Sequence, residues 1–102
     1  MMTIEAKITV HVGHQRDGYI FGLRPRSRVW LEEQYPAKER VSSVFIGLDE
    51  VHNIRQIPGT ILAQVLSLLT GLSIDELNKL GGVSIYDPST QQEIMNTAVA
   101  YV

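Results

Sequence analysis

The chain has 102 residues, of which 44% are hydrophobic and 20% charged, with a net charge of −2 and no cysteine. These values exclude disordered, fibrous and disulfide-rich classes, and we expect one domain spanning residues 1–102. The lack of cysteine is typical of a reducing compartment, so we predict a cytoplasmic location. No apolar run reaches the roughly 20 residues that span a bilayer, and the sequence therefore predicts no membrane partner.

The chain begins with a predicted hairpin. Residues 3–12 alternate between apolar and polar side chains, which is typical of a half-buried strand. Residues 13–18 contain Asp17-Gly18 and are predicted to turn, and residues 19–23 have the aromatic and β-branched content of a returning strand. Because this connection is long, we expect the register to depend on burial of the apolar face.

The segment from residue 24 to residue 42 is predicted to be long and partly irregular. It begins extended, because Pro25 biases the residue before it away from helix. Residues 29–34 are compatible with a strand or a short helical turn. A third strand is then predicted over residues 43–48, followed by a connection over residues 49–57.

Residues 58–80 carry the clearest helix signals in the chain. Gly71 is placed for a left-handed C-terminal cap of a helix over residues 60–70, and Ser73 and Glu76 have the spacing of a capping box that starts a second helix. The first helix has a broad apolar stripe at helical spacing. Its members are Ile61, Leu62, Val65, Leu66, Leu68 and Leu69.

Two structures fit the C-terminal residues. Residues 83–96 could form a second hairpin, because Tyr86-Asp87-Pro88-Ser89 has turn chemistry. Alternatively, Asp87 caps a helix with Pro88 at its first position, and apolar residues from Ile94 to Val102 form its buried stripe. We prefer the helix. The predicted fold is therefore α+β, with a small, mostly antiparallel three-stranded sheet packed by two or three helices.

The candidate site residues are Arg24, Arg26, Arg28, Trp30 and Tyr35. In an extended segment the spacing of the three arginines and Trp30 places them in one row on one face. Guanidinium groups bind phosphate or carboxylate in bidentate fashion, and an aromatic ring beside them can stack on a ligand. The alternative is an edge strand that is protected from aggregation by charge and proline.

The sequence gives little support for catalysis or metal binding. His11 and His14 are close in sequence, but a metal site needs further ligands, and the remaining histidine, His52, is distant. The chain contains no nucleophile elbow, Walker loop, dinucleotide fingerprint or zinc-protease motif. We therefore predict that the protein is not an enzyme and uses no cofactor and no metal.

The residues from Leu68 to Leu80 read Leu-Leu-Thr-Gly-Leu-Ser-Ile-Asp-Glu-Leu-Asn-Lys-Leu. This stretch resembles the leucine-rich helix, Thr-Gly-Leu-Ser turn and acidic second helix of small tail assembly chaperones of phages. The resemblance implies strands followed by helices and a role in binding other proteins without catalysis. It assigns no individual functional residue.

Our leading hypothesis is a non-enzymatic accessory or inhibitory factor, of phage or mobile-element type, that occupies the surface of a partner protein. The alternative is a nucleic-acid-binding module that uses the arginine-rich segment 24–40. Residues 14–40 contain six Lys or Arg and four Asp or Glu, whereas residues 41–102 contain two and six. A third hypothesis is a homodimer formed through an open sheet edge.

Overall fold

A computed structural model describes residues 8–47, 54–80 and 82–97 of the chain. In this part the chain forms five strands and three α-helices arranged as an α+β domain. The strands are β1 (Ile8–Gln15), β2 (Gly18–Leu23), β3 (Val44–Gly47), β4 (Val83–Asp87) and β5 (Gln92–Thr97). The helices are α1 (Pro25–Gln34), α2 (Gly59–Thr70) and α3 (Ile74–Lys79), and a short 3-10 helix covers Ile54–Gln56.

The sheet has the strand order β3-β2-β1-β4-β5. Its neighbouring strands pair antiparallel except β1 and β4, which are parallel. The predicted three-stranded, mostly antiparallel sheet is therefore wrong in strand number, and the real sheet is mixed. The parallel pair arises because the chain crosses from β3 through α2 and α3 before it returns to the sheet beside β1.

The first hairpin is tighter than expected. β1 continues to Gln15, which pairs with Gly18, so that Arg16 and Asp17 alone connect the strands. The predicted six-residue connection over residues 13–18 is wrong, and the short turn itself fixes the register. The first residues of the predicted strand, 3–7, lie outside the described part of the chain.

Helix α1 occupies residues that were predicted to begin extended. Pro25 stands at its first position, where a residue without an N–H group loses no hydrogen bond. The helix is attached to the beginning of β1 by two hydrogen bonds. The Ser27 hydroxyl accepts from the Thr9 N–H at 2.8 Å, and the Arg24 N–H donates to the Thr9 carbonyl at 2.9 Å. Tertiary contact thus stabilises a helix that has a weak sequence signal.

The prediction for α2 and α3 is confirmed. α2 ends at Gly71, which has a left-handed φ of 75° and whose N–H donates to the Ser67 carbonyl at 2.9 Å. The Ser73 hydroxyl accepts from the Glu76 N–H, and the Glu76 carboxylate accepts from the Ser73 N–H, both at 3.2 Å. These two bonds complete the expected capping box at the start of α3.

The preferred C-terminal helix is wrong, and the hairpin alternative is confirmed for residues 83–97. The β4–β1 pairing buries Val83 and Ile85 completely or almost so. Asp87 accepts hydrogen bonds from the Ser89 N–H at 3.0 Å and from the Ser89 hydroxyl at 2.7 Å, which makes a turn after β4 instead of a helix cap. Residues 98–102, which include part of the predicted helical stripe, lie outside the described residues.

One hydrophobic core joins the sheet to the helices. Alternate strand residues such as Val10, Phe21 and Ile85 pack with Leu31 of α1 and Leu66 of α2 in a single buried cluster. The opposite sheet face carries partly or fully exposed residues. These include His11, Ile20, Phe45 and Tyr86. No helix among the described residues is long and apolar enough to cross a membrane.

Candidate partner-binding site

The three predicted site arginines do not form one row. Arg24 is the residue before α1, and Arg26 and Arg28 lie within it, where residues two apart point about 200° away from each other around the helix axis. Arg24 and Arg26 are exposed, whereas Arg28 is half-buried and donates to the Ser42 carbonyl at 3.4 Å. The extended arrangement that motivated this candidate site is therefore wrong, because the segment is helical.

The two predicted aromatic residues lie together on the inner side of α1. The rings of Trp30 and Tyr35 meet edge to face with centroids 6.4 Å apart. Both side chains are half-buried and pack against the core. In this position the two rings hold α1 on the sheet. They do not form an exposed surface on which a ligand could stack.

Arg40 lies in the segment proposed for nucleic-acid binding, and its side chain is hydrogen-bonded near the end of α1. Its guanidinium donates to the carbonyls of Leu31 at 3.0 Å, Tyr35 at 2.5 Å and Lys38 at 3.0 Å. The Leu31 carbonyl also accepts from the Tyr35 N–H at 2.7 Å, and Tyr35 and Lys38 follow the helix, so the guanidinium adds a donor with a positive charge at the C-terminal end of α1, where such a charge is favourable. Arg40 therefore stabilises the fold of the segment that follows α1.

Two residues of α2 are more exposed than their place in the apolar stripe indicates. Ile61 and Leu68 belong to the predicted apolar stripe, yet the structure leaves them 38% and 50% exposed. Their neighbours Val65, Leu66 and Leu69 are buried. The apolar stripe is wider than the part of the α2 surface that the sheet buries. Residues at the outer edge of the stripe therefore face solvent.

Ile61 and Leu68 border an apolar cleft between α2 and the edge strand β3. This β3–α2 cleft has a volume of about 360 Å³. Its lining residues are Val44, Ile46, Pro58, Ile61, Gln64, Val65 and Leu68. Gln64 is the only polar side chain among them, so the cleft favours an apolar occupant.

A second apolar hollow lies on the other side of Leu68. This α2–α3 groove has a volume of about 660 Å³ and runs along the outer face of α2 toward Ile74 of α3. Leu68 also borders a third, more polar hollow that contains Lys38, Arg40 and Glu76. Leu68 thus stands where three surface depressions meet.

The charges around this surface lie at its rim. α2 itself contains no charged residue. At the edge near α3, the Lys38 ammonium lies 3.5 Å from the Glu76 carboxylate. The capping bond from the Ser73 N–H, assisted by Lys38, lowers the pKa of Glu76. An apolar centre with a polar rim is the usual arrangement of a protein-binding surface.

The strand beside the cleft is an edge of the sheet. β3 pairs with β2 on one side, and no other described strand lies along its outer side. Phe45 projects from β3 on the face opposite the cleft and is 49% exposed. The edge therefore combines backbone positions that no second described strand pairs with an exposed aromatic ring, a combination that favours pairing with another chain.

A polar cluster around the buried Asp87 carboxylate lies elsewhere, where β1 and β4 end. The Asp87 carboxylate accepts from His14 Nε2 at 2.5 Å and from Ser89, and Asp87 is 1% exposed. Burial alone would raise the pKa of Asp87, but the hydrogen bonds from His14 and Ser89 outweigh it and lower the pKa to about 2. Because Asp87 is then ionised at neutral pH and can only accept, His14 Nε2 carries the proton.

This cluster has the residue types of a catalytic triad but the wrong connectivity. The Ser89 hydroxyl and His14 both donate to Asp87, and no hydrogen bond joins the hydroxyl to the imidazole. A nucleophile needs a base within hydrogen-bond reach, and Ser89 has none in this arrangement. The cluster fixes the β4–β5 turn against the first hairpin.

The described residues contain no group of three or more side chains that could hold a metal ion. Comparisons with protein-family models, curated proteins and solved structures found no significant match to this chain.

Proposed function

We propose that this protein is a non-enzymatic accessory or inhibitory factor that binds a partner protein through the apolar surface centred on Leu68. One observation carries the proposal. A leucine that is 50% exposed stands at the meeting point of two apolar depressions and one polar one. A concave surface with an apolar centre is typical of a binding site, whereas a single exposed leucine outside such a depression is not.

The energetics favour a partner that covers this surface. Removing apolar area from water gains about 25 cal/mol per Å², and Ile61 and Leu68 have substantial area left to bury. No charge on α2 has to be desolvated when a partner covers it. The binding energy is therefore concentrated in a few apolar contacts, as in many protein interfaces.

A protein partner is supported better than a nucleic acid. Phosphate binding requires basic side chains gathered on one face, whereas Arg26 and Arg28 diverge around α1 and Arg40 is bound to backbone carbonyls. The five described strands contain no Lys or Arg, so the open sheet face offers no basic platform.

The resemblance of residues 68–80 to small phage tail assembly chaperones agrees with this proposal, because those proteins also act by binding other proteins. The same stretch contains Leu68 and the turn into α3. We therefore extend the proposal to an accessory factor of phage or mobile-element type that acts in the cytoplasm without a cofactor.

Affinity purification from an extract of the native host tests the proposal. The bait is the wild-type chain, a Leu68→Glu variant or a Val29→Glu variant, each with and without nuclease. Val29 is the matched control, because it is 54% exposed on α1 and lines none of the three depressions around Leu68. We expect a partner protein that survives nuclease, is retained by Val29→Glu and is lost with Leu68→Glu. Co-purified nucleic acid, with every protein lost after nuclease treatment, would contradict the proposal.

A further inference from the structure

The β3–α2 cleft differs from an ordinary apolar hollow because one of its walls is a sheet edge. β3 contributes Val44 and Ile46 to the lining of the cleft. Its outer side has no neighbouring strand among the described residues. An occupant of the cleft therefore lies against backbone N–H and C=O groups as well as against apolar side chains.

These backbone groups restrict the conformation of the occupant. A helix that covered the edge would offer no partners to the N–H and C=O groups of Val44–Gly47 that point away from β2, and burying such groups unpaired is costly. An extended segment pairs with these groups and places every second side chain over the cleft. The geometry favours a strand over a helix.

Both faces of an added strand would meet apolar neighbours. On the α2 side, alternate side chains would contact Ile61 and Leu68, which are 38% and 50% exposed. On the other side, the intervening side chains would pair across the strands with Phe45, which is 49% exposed. Aromatic and β-branched pairs of this kind stabilise neighbouring strands.

One end of the edge carries a positive charge. The Arg28 guanidinium donates to the carbonyl of Ser42 at 3.4 Å, two residues before β3 begins and therefore about 7 Å along the chain. This bond uses one of the five donors of the guanidinium. An antiparallel strand, the slightly more stable orientation, would bring its C-terminal end toward Arg28.

We propose that the site takes its partner by strand addition. An extended segment of the partner protein pairs antiparallel with β3, places apolar side chains at alternate positions in the β3–α2 cleft, and presents an acidic group near Arg28 at its C-terminal end. This inference rests on the proposed function and specifies how the partner is recognised. A second copy of β3 is the competing occupant, because Asp49 and Glu50 follow Val44–Gly47 in the sequence, and the test below separates it from a segment of another protein.

Selection from a random linear peptide library, with the intact protein as bait, tests the inference. We expect enriched peptides with apolar residues at alternate positions and Asp or Glu at the C-terminal side. The affinity of an enriched peptide should fall about tenfold or more with Leu68→Glu and stay unchanged with Val29→Glu, since one buried leucine is worth about that much. Arg28→Glu should abolish the acidic preference, and Arg26→Glu, on the same helix, should retain it.

Methylation of single backbone nitrogens in an enriched peptide gives the sharper readout. In strand addition, methylation at every second residue removes a bond to β3 and should weaken binding about tenfold, while methylation at the intervening residues has no effect. Peptides with apolar residues at helical spacing, or with no alternating response to methylation, would overturn the inference. The inference would also be overturned if the wild-type bait enriched no peptides relative to the Leu68→Glu bait.

These failures are distinguishable from failure of the proposed function. Helical binders that are lost with Leu68→Glu would overturn strand addition and leave protein binding at this surface intact. If light scattering shows that the wild-type protein is a dimer and that an enriched peptide dissociates it, the edge of β3 is an interface with a second copy. This result would overturn the proposal that a segment of another protein binds there. The extract experiment with Leu68→Glu and Val29→Glu tests the function independently of any peptide.

Discussion

Replacing Gly71 with alanine should destabilise the fold strongly, whereas the same change at Gly59 should not. Gly71 has a φ of 75°, which costs a residue with a side chain about 1 kcal/mol. Its added methyl group would lie 2.6 Å from the Glu39 carbonyl oxygen and 2.9 Å from Lys38 Cβ. Moving residues 38–39 away from the added methyl group costs about a further 1–3 kcal/mol. We therefore expect the free energy of unfolding to fall by about 2–4 kcal/mol.

Urea denaturation followed by circular dichroism measures this loss as a shift of the midpoint. Gly59 is the matched control, because no atom lies within 4 Å of its added methyl group. It begins α2, where alanine is preferred to glycine, so Gly59→Ala should leave stability unchanged or raise it by up to about 1 kcal/mol. A change below about 0.5 kcal/mol for Gly71→Ala would refute both the left-handed cap and the close packing of residues 38–39 on it.

Three further predictions concern stability. Leu69→Ala should cost about 2–5 kcal/mol because Leu69 is fully buried, whereas Leu68→Ala should cost less than about 1 kcal/mol; equal losses in urea denaturation would contradict the orientation of α2. The Asp87 pKa is lowered from 3.8 to about 2, so its ionised form stabilises the fold above about pH 4 and this contribution is lost as the pH falls to about 2. The stability advantage of wild type over Asp87→Asn should therefore shrink by about 2 kcal/mol over that range, and a constant difference would contradict the buried ionised carboxylate. Ser27→Ala should cost about 1–3 kcal/mol and accelerate hydrogen exchange of the Thr9 amide, because that N–H loses its acceptor; unchanged exchange would refute the link.

The features that the sequence predicted well depend on nearby residues. The cap at Gly71 and the capping box of Ser73 and Glu76 are local, since each partner lies within a few residues of the other. The parallel pairing of β1 with β4 depends on contacts between residues more than 70 positions apart, such as Val10 and Ile85. No local pattern specifies which distant strand will become the neighbour.

Two segments were mispredicted because their local signals fit more than one structure. Arg24-Pro25 fits an extended segment and also the first turn of a helix, and the hydrogen bond from Thr9 to Ser27 selects the helix. Asp87-Pro88 fits a helix start and also a strand turn, and the pairing of β4 with β1 and β5 selects the turn. In both cases tertiary contacts decided between locally acceptable conformations.

The predicted one-row arrangement of the candidate site residues was wrong for a related reason. Charge and aromatic content drew attention to residues 24–35, whose side chains the helix then distributed around its axis. Leu68 appeared to be one more core leucine, because hydrophobic spacing alone does not show how much of a broad stripe the sheet can cover. Its exposure became visible only when the position of α2 relative to β3 was known.

Site-specific photo-crosslinking in native host extract tests the central claim most directly. A photoreactive phenylalanine analogue replaces Leu68, Ile61 or, as the exposed control, Val29. We expect the same partner protein to be captured from positions 68 and 61, with or without nuclease, and to be absent at position 29. Capture at position 29 alone, or crosslinks from positions 68 and 61 to nucleic acid alone, would contradict a protein-binding surface on α2.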